Sequence, residues 1–170
     1  MNAIVGFTAL AASHLDNKEQ VKDYLEKVSV SSQHLLSLIN DILDFSKIEA
    51  GRLDILPVAY DLSSTILDVT NMVLPRAKAK EIAFNVQVDK AMPHKLFGDE
   101  MRLKQCMLNL LTNAVKYTER GSVTFTVSAA KQDDARILLQ VQVLDTGIGI
   151  KEEDLQQLFS PFERVDTKRN

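Results

Sequence analysis

The sequence of 170 residues contains no tryptophan, one cysteine, six glycines and four prolines. The single cysteine, Cys106, excludes an intrachain disulfide and fits a reducing compartment. The low glycine and proline content excludes collagen-like and low-complexity classes. No apolar run approaches the ~18 residues of a transmembrane helix, and residues 1–12 lack the preceding basic residues of a signal peptide. The chain is therefore expected to be cytoplasmic.

The sequence also lacks an excess of positive charge. Twenty Lys and Arg residues stand against 23 Asp and Glu, for a net charge of −3. This balance argues against nucleic acid as a partner. With 45% hydrophobic residues, the chain is globular, and its length fits one domain or two small ones.

The first fifty residues have a helical pattern. The spacing predicts a short helix over residues 2–14 and a long one over 18–49, forming an antiparallel hairpin that stops at Gly51. The long helix carries a coiled-coil seam with 3,4 spacing: Leu25, Val28, Ser32, Leu35, Ile39, Ile42, Ser46 and Glu49. Its second half has no partner in this hairpin, so we expect cover from another chain, from a segment preceding Met1, or from both.

From Asp54 onward the pattern mixes helices and strands. Asp61 or Ser63 is expected to cap a helix that Pro75 kinks or ends, and Asp99 to cap a second helix that reaches Tyr117. A short strand is expected at 93–97, and three longer strands have alternating apolar residues: Ile82, Phe84, Val86 and Val88; Val123, Phe125 and Val127; Ile137, Leu139, Val141 and Val143. Helices covering one face of a largely antiparallel sheet would form an α/β two-layer sandwich, giving an α+β chain overall.

The helix 99–117 carries two stripes. The apolar stripe is Leu103, Met107, Leu110, Leu111 and Ala114, and the polar stripe is Arg102, Gln105, Asn109, Asn113 and Lys116. Asparagine is a mediocre helix former, so two of them one turn apart suggest a ligand site. An amide oxygen suits Mg²⁺, and a lysine one turn later suits a phosphate. A solvated polar face explains the same spacing.

Two glycines follow the last strand, in the segment 145–150, Asp-Thr-Gly-Ile-Gly-Ile. They would let the backbone bend and approach a ligand, and a carboxylate at a strand end can accept a hydrogen bond from an exocyclic amine. Taken alone, this segment is more typical of an ordinary turn between a strand and a helix. Further on, residues 158–166 end a predicted helix, 152–158, and are either a frayed terminus or the base of a mobile lid.

Taken together and in order, these motifs resemble the cytoplasmic kinase core of sensor histidine kinases, most closely the hybrid type. Residues 1–7 match the end of that family's phosphoacceptor box, and 38–51 match the end of its dimerisation hairpin. Three further matches cover its N box (98–118), first glycine box (145–150) and F box (158–166). The resemblance implies a dimerisation hairpin at 1–51 and an ATP-binding domain of the gyrase and histidine-kinase type at 52–170.

The resemblance also implies roles for individual residues in binding ATP and Mg²⁺. Asn113 would hold the Mg²⁺ with Asn109 beside it, and Asp145 would bind the adenine amine. Lys116 and Tyr117 would contact phosphate and ribose. Gly147 and Gly149 would admit the nucleotide and act as the hinge of the lid. Phe162 would help to bind the nucleotide, and Arg164 would lie near the γ-phosphate. The implied partners are a second copy of the chain and a response-regulator receiver domain, and the parent protein could be a membrane-attached sensor.

Asn109 separates the kinases of this superfamily from its ATPases. The related ATPases carry a glutamate there that activates water, and an amide cannot accept that proton. We therefore expect transfer of the γ-phosphate to a histidine. Two other functions remain as alternatives: a non-catalytic dimerisation module with a degenerate nucleotide site, and a Ser/Thr kinase, which the hairpin ending at 45–51 disfavours.

The sequence departs from the family pattern at both ends. The phosphorylated histidine of the family precedes the position of Met1, and none of His14, His34 and His94 has the expected acidic neighbour and proline. The second glycine box would follow Asn170. The 170 residues are therefore expected to be truncated at both ends and not to phosphorylate themselves.

Overall fold

In the computed structural model, the chain divides into two compact units, Met1–Ile55 and Leu56–Asn170. The structure describes residues 2–133 and 135–152. The helices are α1 (Asn2–Ser13), α2 (Lys18–Glu49), α3 (Leu62–Ala79) and α4 (Glu100–Tyr117). The strands are β1 (Val58–Asp61), β2 (Ala83–Val88), β3 (Lys95–Gly98), β4 (Ser122–Lys131) and β5 (Ile137–Asp145). None of the helices within these residues combines the length and hydropathy needed to cross a membrane.

The first unit is a helical hairpin, as predicted. Its long helix begins after Asn17, whose side chain accepts a hydrogen bond from the N–H of Gln20 at 3.2 Å. This N-cap satisfies one of the backbone donors that the first turn of a helix leaves without a partner. Phe7 of α1 stacks on Tyr24 of α2 with ring centroids 6.4 Å apart. The short helix therefore packs against the first half of the long one.

The second half of α2 leaves its apolar side chains uncovered within this unit. Six of them are between 39% and 59% exposed: Leu36, Leu38, Ile39, Ile42, Leu43 and Ile48. Apolar side chains exposed together on one helix are unusual in a monomeric soluble protein. The prediction that the long helix outruns its partner is thus confirmed for the described residues of the hairpin.

The second unit is built on a three-stranded sheet in the order β2-β4-β5. Strands β4 and β5 form an antiparallel hairpin in which Val123 pairs with Asp145. The expectation of largely antiparallel pairing is wrong for β2 and β4, which are parallel, with Ala83 opposite Ser122. The reason is the long connection through β3 and α4, since a crossover of this length allows the chain to re-enter the sheet in the same direction. The sheet is therefore mixed.

Helices α3 and α4 cover one face of this sheet, which confirms the two-layer arrangement. Side chains from both layers are buried in the core: Leu62, Ile66, Val69, Val73, Ala77, Met107, Leu111, Ala114, Val115, Val123, Phe125 and Val127. Leu110 was predicted to join them but is half exposed, at 49%. Pro75 does not end α3, which continues to Ala79, because Val73 and Ala77 on either side of it are both fully buried.

A second, two-stranded sheet lies before α4. Strand β1 pairs antiparallel with β3, with Val58 opposite Gly98 and Asp61 opposite Lys95. β3 was expected at 93–97 and lies at Lys95–Gly98, whereas β1 was not expected from the sequence. Asp61 also caps α3, accepting the N–H of Ser64 at 2.8 Å, so one residue ends a strand and starts a helix.

Helices α2 and α3 end in the same hydrogen-bonding motif, but the residue in the left-handed conformation differs between them. After α2, Gly51 has φ 63°, and the N–H of Arg52 donates to the carbonyl of Lys47 at 2.8 Å. After α3, Glu81 has φ 57°, and the N–H of Ile82 donates to the carbonyl of Ala77 at 3.0 Å. This Schellman-type ending needs a left-handed residue, a conformation that glycine adopts without the steric cost of a Cβ.

We therefore expect Glu81→Gly to stabilise the protein. Relief of the left-handed strain should raise the free energy of unfolding by about 0.5–1 kcal/mol. Denaturant unfolding followed by circular dichroism measures this change. Glu81→Ala removes the same carboxylate but keeps the Cβ, and an equal gain in that control would show that backbone strain is not the cause.

Candidate functional site

Helix α4 is fixed at its start by Asp99. One carboxylate oxygen accepts the N–H of Arg102 at 3.0 Å, and the other accepts the N–H of Leu56 at 3.0 Å. These bonds, with that of Arg102 the stronger influence, hold the pKa of Asp99 below its usual value. The predicted cap is thus confirmed, and it also ties the helix to the segment that leads into β1.

A charged cluster fixes α4 against α3. The ammonium of Lys104 lies 2.8 Å from Asp68 and 3.0 Å from Glu100, and the hydroxyl of Thr65 donates to Glu100 at 3.0 Å. The bonds to Asp68 and Glu100 raise the pKa of Lys104, and the bond from Lys104 lowers the pKa of Glu100. Together with the buried apolar stripe, this cluster sets which side of α4 faces outward.

The polar stripe of α4 lies on that outward side. Asn109, Asn113 and Lys116 are all exposed, while the guanidinium of Arg102 donates to the side chain of Gln105 at 2.9 Å. Exposed amide oxygens one turn apart are compatible with a hard cation and with phosphate oxygens that accompany it. Within the described ranges, no group of three or more His, Cys, Asp or Glu side chains is placed to hold a metal ion by itself.

The C-terminal turn of α4 brings together Lys116 and Tyr117. The ammonium of Lys116 donates to the phenol oxygen of Tyr117 at 3.1 Å and lies 4.7 Å from the centre of its ring. A cation over an aromatic face is attracted by the ring's negative surface. Both side chains are exposed, so this pair is a positively charged, partly aromatic surface at the end of the polar stripe.

The turn after β5 lies against this end of α4. Asp145 accepts the N–H of Gly147 at 2.9 Å, and the N–H of Ile148 donates to the carbonyl of Tyr117 at 3.3 Å. A Cβ on Gly147 would lie 2.5 Å from that same carbonyl oxygen and 2.8 Å from the Asp145 carboxylate. Only glycine fits this position. Gly149 has φ 68°, which also favours glycine.

Thr146, between the aspartate and the first glycine, was not predicted to have a role. Its hydroxyl accepts the N–H of Ser122 at 2.9 Å, and its own N–H donates to the carbonyl of Ser122 at 3.1 Å. These bonds extend the β4–β5 pairing one residue beyond Asp145 and fix where the turn begins. The signal was available, because a threonine at the end of a strand is suited to such side-chain pairing.

The structure thus brings together Tyr117, Asp145 and Gly147, and places Asn109 and Asn113 along the same helix that ends at Tyr117. Phe162 and Arg164 lie outside the described residues, as do the predicted F box and most of the helix predicted before it.

Two family models match this chain. Residues 1–51 match the His Kinase A (phospho-acceptor) domain, and residues 98–170 match the histidine kinase-, DNA gyrase B-, and HSP90-like ATPase. Among curated proteins, the signal transduction histidine-protein kinase BarA of Escherichia coli K12 is 34% identical over 98% of this chain and 18% of its own length. The sensor histidine kinase GacS of Pseudomonas protegens is 36% identical over the same shares.

Solved structures agree with these matches. The crystal structure of full-length ShkA in complex with AMPPNP is 34% identical, with a TM-score of 0.65 over 81% of this chain and 28% of its own. The histidine kinase ThkA in complex with the response regulator protein TrrA is 23% identical and shows the same fold, with a TM-score of 0.60 over 96% of this chain and 46% of its own.

The two family models and the curated relatives all point to the same class of signalling enzyme. The relatives match nearly the whole chain. The chain belongs to the sensor histidine kinases, a family of phosphotransferases. It spans less than a fifth of the length of the two relatives, 18% in each case.

Proposed function

We propose that this chain is the dimerisation and ATP-binding core of a two-component histidine kinase, which transfers the γ-phosphate of ATP to a histidine. Residues 1–51 would be the dimerisation hairpin and 52–170 the ATP-binding domain. The observation that carries the proposal is the contact between the end of α4 and the turn after β5, residues 145–149, here called the glycine turn. There Gly147 leaves room for only a hydrogen atom beside Tyr117 and Asp145.

The side chains at this contact suit the parts of a nucleotide. Asp145 is exposed, and its carboxylate can accept a hydrogen bond from the adenine amine. Gly147 and Gly149 would let the nucleotide approach the backbone and let the following segment move. Lys116 would meet a phosphate, and Tyr117 the ribose. Phe162 and Arg164 would belong to the lid segment. Phe162 would help to bind the nucleotide, and Arg164 would lie near the γ-phosphate.

Mg²⁺ fits the exposed amide of Asn113, with Asn109 beside it on the outward stripe of α4. Mg²⁺ usually keeps several waters and binds one or two protein oxygens together with substrate phosphates. When bound, the ion would supply neutralisation of the phosphate charge, on which phosphoryl transfer depends. Asn109 cannot take a proton from water, which favours transfer to a histidine over hydrolysis.

The partners would be a second copy of the chain and a receiver domain. The exposed apolar side chains of α2 supply a surface for the second copy. The receiver domain is supported by the ThkA complex with TrrA. The histidine that accepts the phosphate would lie outside these 170 residues. A reducing compartment suits the single cysteine, so we place this core in the cytoplasm.

Calorimetric titration of the chain with Mg·ATP, alongside Asp145→Ala, tests the nucleotide site. Wild-type binding is expected between micromolar and millimolar, roughly −8 to −4 kcal/mol. Asp145→Ala should weaken it at least about tenfold, since it removes a hydrogen bond to a charged group. Asp133→Ala is the control, because Asp133 lies in the turn between β4 and β5 and is bonded to Arg136.

No heat of binding in a folded wild-type chain would contradict the proposal. The chain would then be better described as a non-catalytic dimerisation module with a degenerate nucleotide site. The exposed apolar surface of α2 is the observation that favours that second function.

A further inference from the structure

Lys80, which follows the last residue of α3, reaches across to the end of α4. Its ammonium donates to the carbonyl oxygens of Val115 at 2.8 Å, Lys116 at 2.8 Å and Thr118 at 3.1 Å. An ammonium has three N–H donors. All three are therefore used on the backbone of the turn where α4 ends, 35–38 residues further along the chain.

These carbonyls need a donor from outside their own helix. The last four carbonyls of a helix have no partner within it. They also make the C-terminal end of the helix about half a unit negative. Lys80 meets both needs, because it supplies hydrogen bonds and a positive charge at the same point. The end of α4 would otherwise repel the phosphate that Lys116 is proposed to bind.

The same turn is held from a second side. Two of the three carbonyls that Lys80 binds belong to Lys116 and Thr118, and the carbonyl of Tyr117 between them accepts the N–H of Ile148 at 3.3 Å. The backbone of 116–118 thus connects α3 on one side to the glycine turn on the other. A shift of this turn would move Lys116, Tyr117 and the glycine turn together.

Lys80 is itself fixed by the end of its own helix. Its N–H donates to the carbonyl of Ala77 at 3.2 Å, and the N–H of Ile82 donates to the same carbonyl at 3.0 Å. Ala77 and Ile82 are both buried. The left-handed Glu81 turns the chain directly after Lys80. Lys80 is exposed, but its backbone is therefore held next to two buried residues while its ammonium reaches α4.

We propose that Lys80 is a positioning residue of the nucleotide site. It holds the C-terminal turn of α4, and through that turn the glycine turn, in the arrangement that receives Mg·ATP. This inference rests on the proposed function for the identity of the ligand. The bonds from Lys80 to the end of α4 are present in the chain without ligand, so their effect on this turn can be measured separately.

The test compares Lys80→Met, Lys80→Arg and Lys78→Met in the full chain. Methionine keeps an apolar stem without donors or charge, and arginine restores both. Lys78 is an exposed lysine in the last turn of the same helix and serves as the control. Two quantities are measured for each variant: amide hydrogen exchange without nucleotide, and the dissociation constant for Mg·ATP by calorimetry.

In Lys80→Met, we expect the amide of Thr118, which donates to Ala114 at 3.1 Å, to exchange at least about tenfold faster, a change equivalent to about 1.4 kcal/mol. The amide of Ile148 should also exchange faster, while those of Phe125 and Val127 in the core strand keep their rates. Affinity for Mg·ATP should fall about tenfold, for a similar loss of free energy. Lys80→Arg should recover most of both effects, and Lys78→Met should show neither.

Unchanged exchange at Thr118 and Ile148 in Lys80→Met would overturn the inference. Equal acceleration at Phe125 and Val127 would also overturn it, because the lysine would then stabilise the whole unit. Faster exchange at Thr118 and Ile148 with unchanged affinity would overturn the link to the nucleotide. If the wild type binds no Mg·ATP, the proposed function fails and the positioning role fails with it, although the exchange rates would still show whether Lys80 holds the turn.

Discussion

Gly147→Ala is expected to weaken Mg·ATP binding by more than about a hundredfold and to lower the free energy of unfolding by about 1–3 kcal/mol. The added Cβ would lie 2.5 Å from the carbonyl oxygen of Tyr117 and 2.8 Å from the carboxylate of Asp145. Real Cβ atoms do not approach other atoms this closely, so one of the two neighbours must move.

Neither neighbour can move without altering the site. The carbonyl of Tyr117 belongs to the backbone of the turn that Lys80 holds, and its acceptor bond from Ile148 fixes the glycine turn. The carboxylate of Asp145 accepts the N–H of Gly147 itself. The alanine therefore displaces either the end of α4 or the carboxylate proposed to bind adenine, which is why the effect should exceed that of Asp145→Ala.

Calorimetry with Mg·ATP and denaturant unfolding together measure this result. Gly98→Ala is the matched control in the same unit, because its Cβ would lie 3.8 Å from the ring of Tyr60, an ordinary contact distance. It should bind Mg·ATP within about twofold of the wild type, a difference of about 0.4 kcal/mol. Binding by Gly147→Ala at the wild-type affinity would show that this close contact is not part of a nucleotide site.

The double change Ile39→Asp with Ile42→Asp is expected to convert a dimer into a monomer. Ile39 is 45% and Ile42 is 49% exposed on the uncovered half of α2. In a symmetric pair each change occurs twice, so four carboxylates would enter one apolar interface. Burying unpaired charges there costs far more than the contacts return. Light scattering should show the molar mass falling by half.

The control places the same two charges elsewhere on the same helix. Gln20 and Gln33 are exposed polar residues of α2, and changing both to Asp should leave the mass unchanged. Circular dichroism checks that all variants keep their helices. A wild-type chain that is already monomeric, or a dimer that survives the Ile39 and Ile42 changes, would remove this surface as the basis of association.

Local signals explain which parts of the fold were predictable. The limits of α2 were predicted correctly from its apolar spacing and from the stop at Gly51, and the structure adds the N-cap at Asn17. The start of α4 was predicted correctly from its cap, Asp99. Alternation along β4 correctly predicted its buried face, with Val123, Phe125 and Val127 fully inside. In each case, the information lies within a few residues of the feature it predicts.

Features that depend on distant residues were not predictable in this way. The parallel pairing of β2 with β4 depends on the path of the chain between them, which alternation does not encode. β1 has only four residues, too few for a clear period. The bonds from Lys80 to the end of α4 join residues 35–38 apart, and nothing in the residues around Lys80 indicates them.

The order of the strands also has a consequence for how the unit folds. The β4–β5 hairpin closes through a short turn, so its chain-entropy cost is small and it can form early. Pairing of β2 with β4 must enclose β3 and all of α4, and such long-range parallel contacts form slowly. The glycine turn leaves directly from the hairpin, whereas Lys80 lies just before β2. We therefore expect the strand end that carries Asp145 to form early, and the bonds from Lys80 to the end of α4 to form later, as the long-range contacts of the unit assemble.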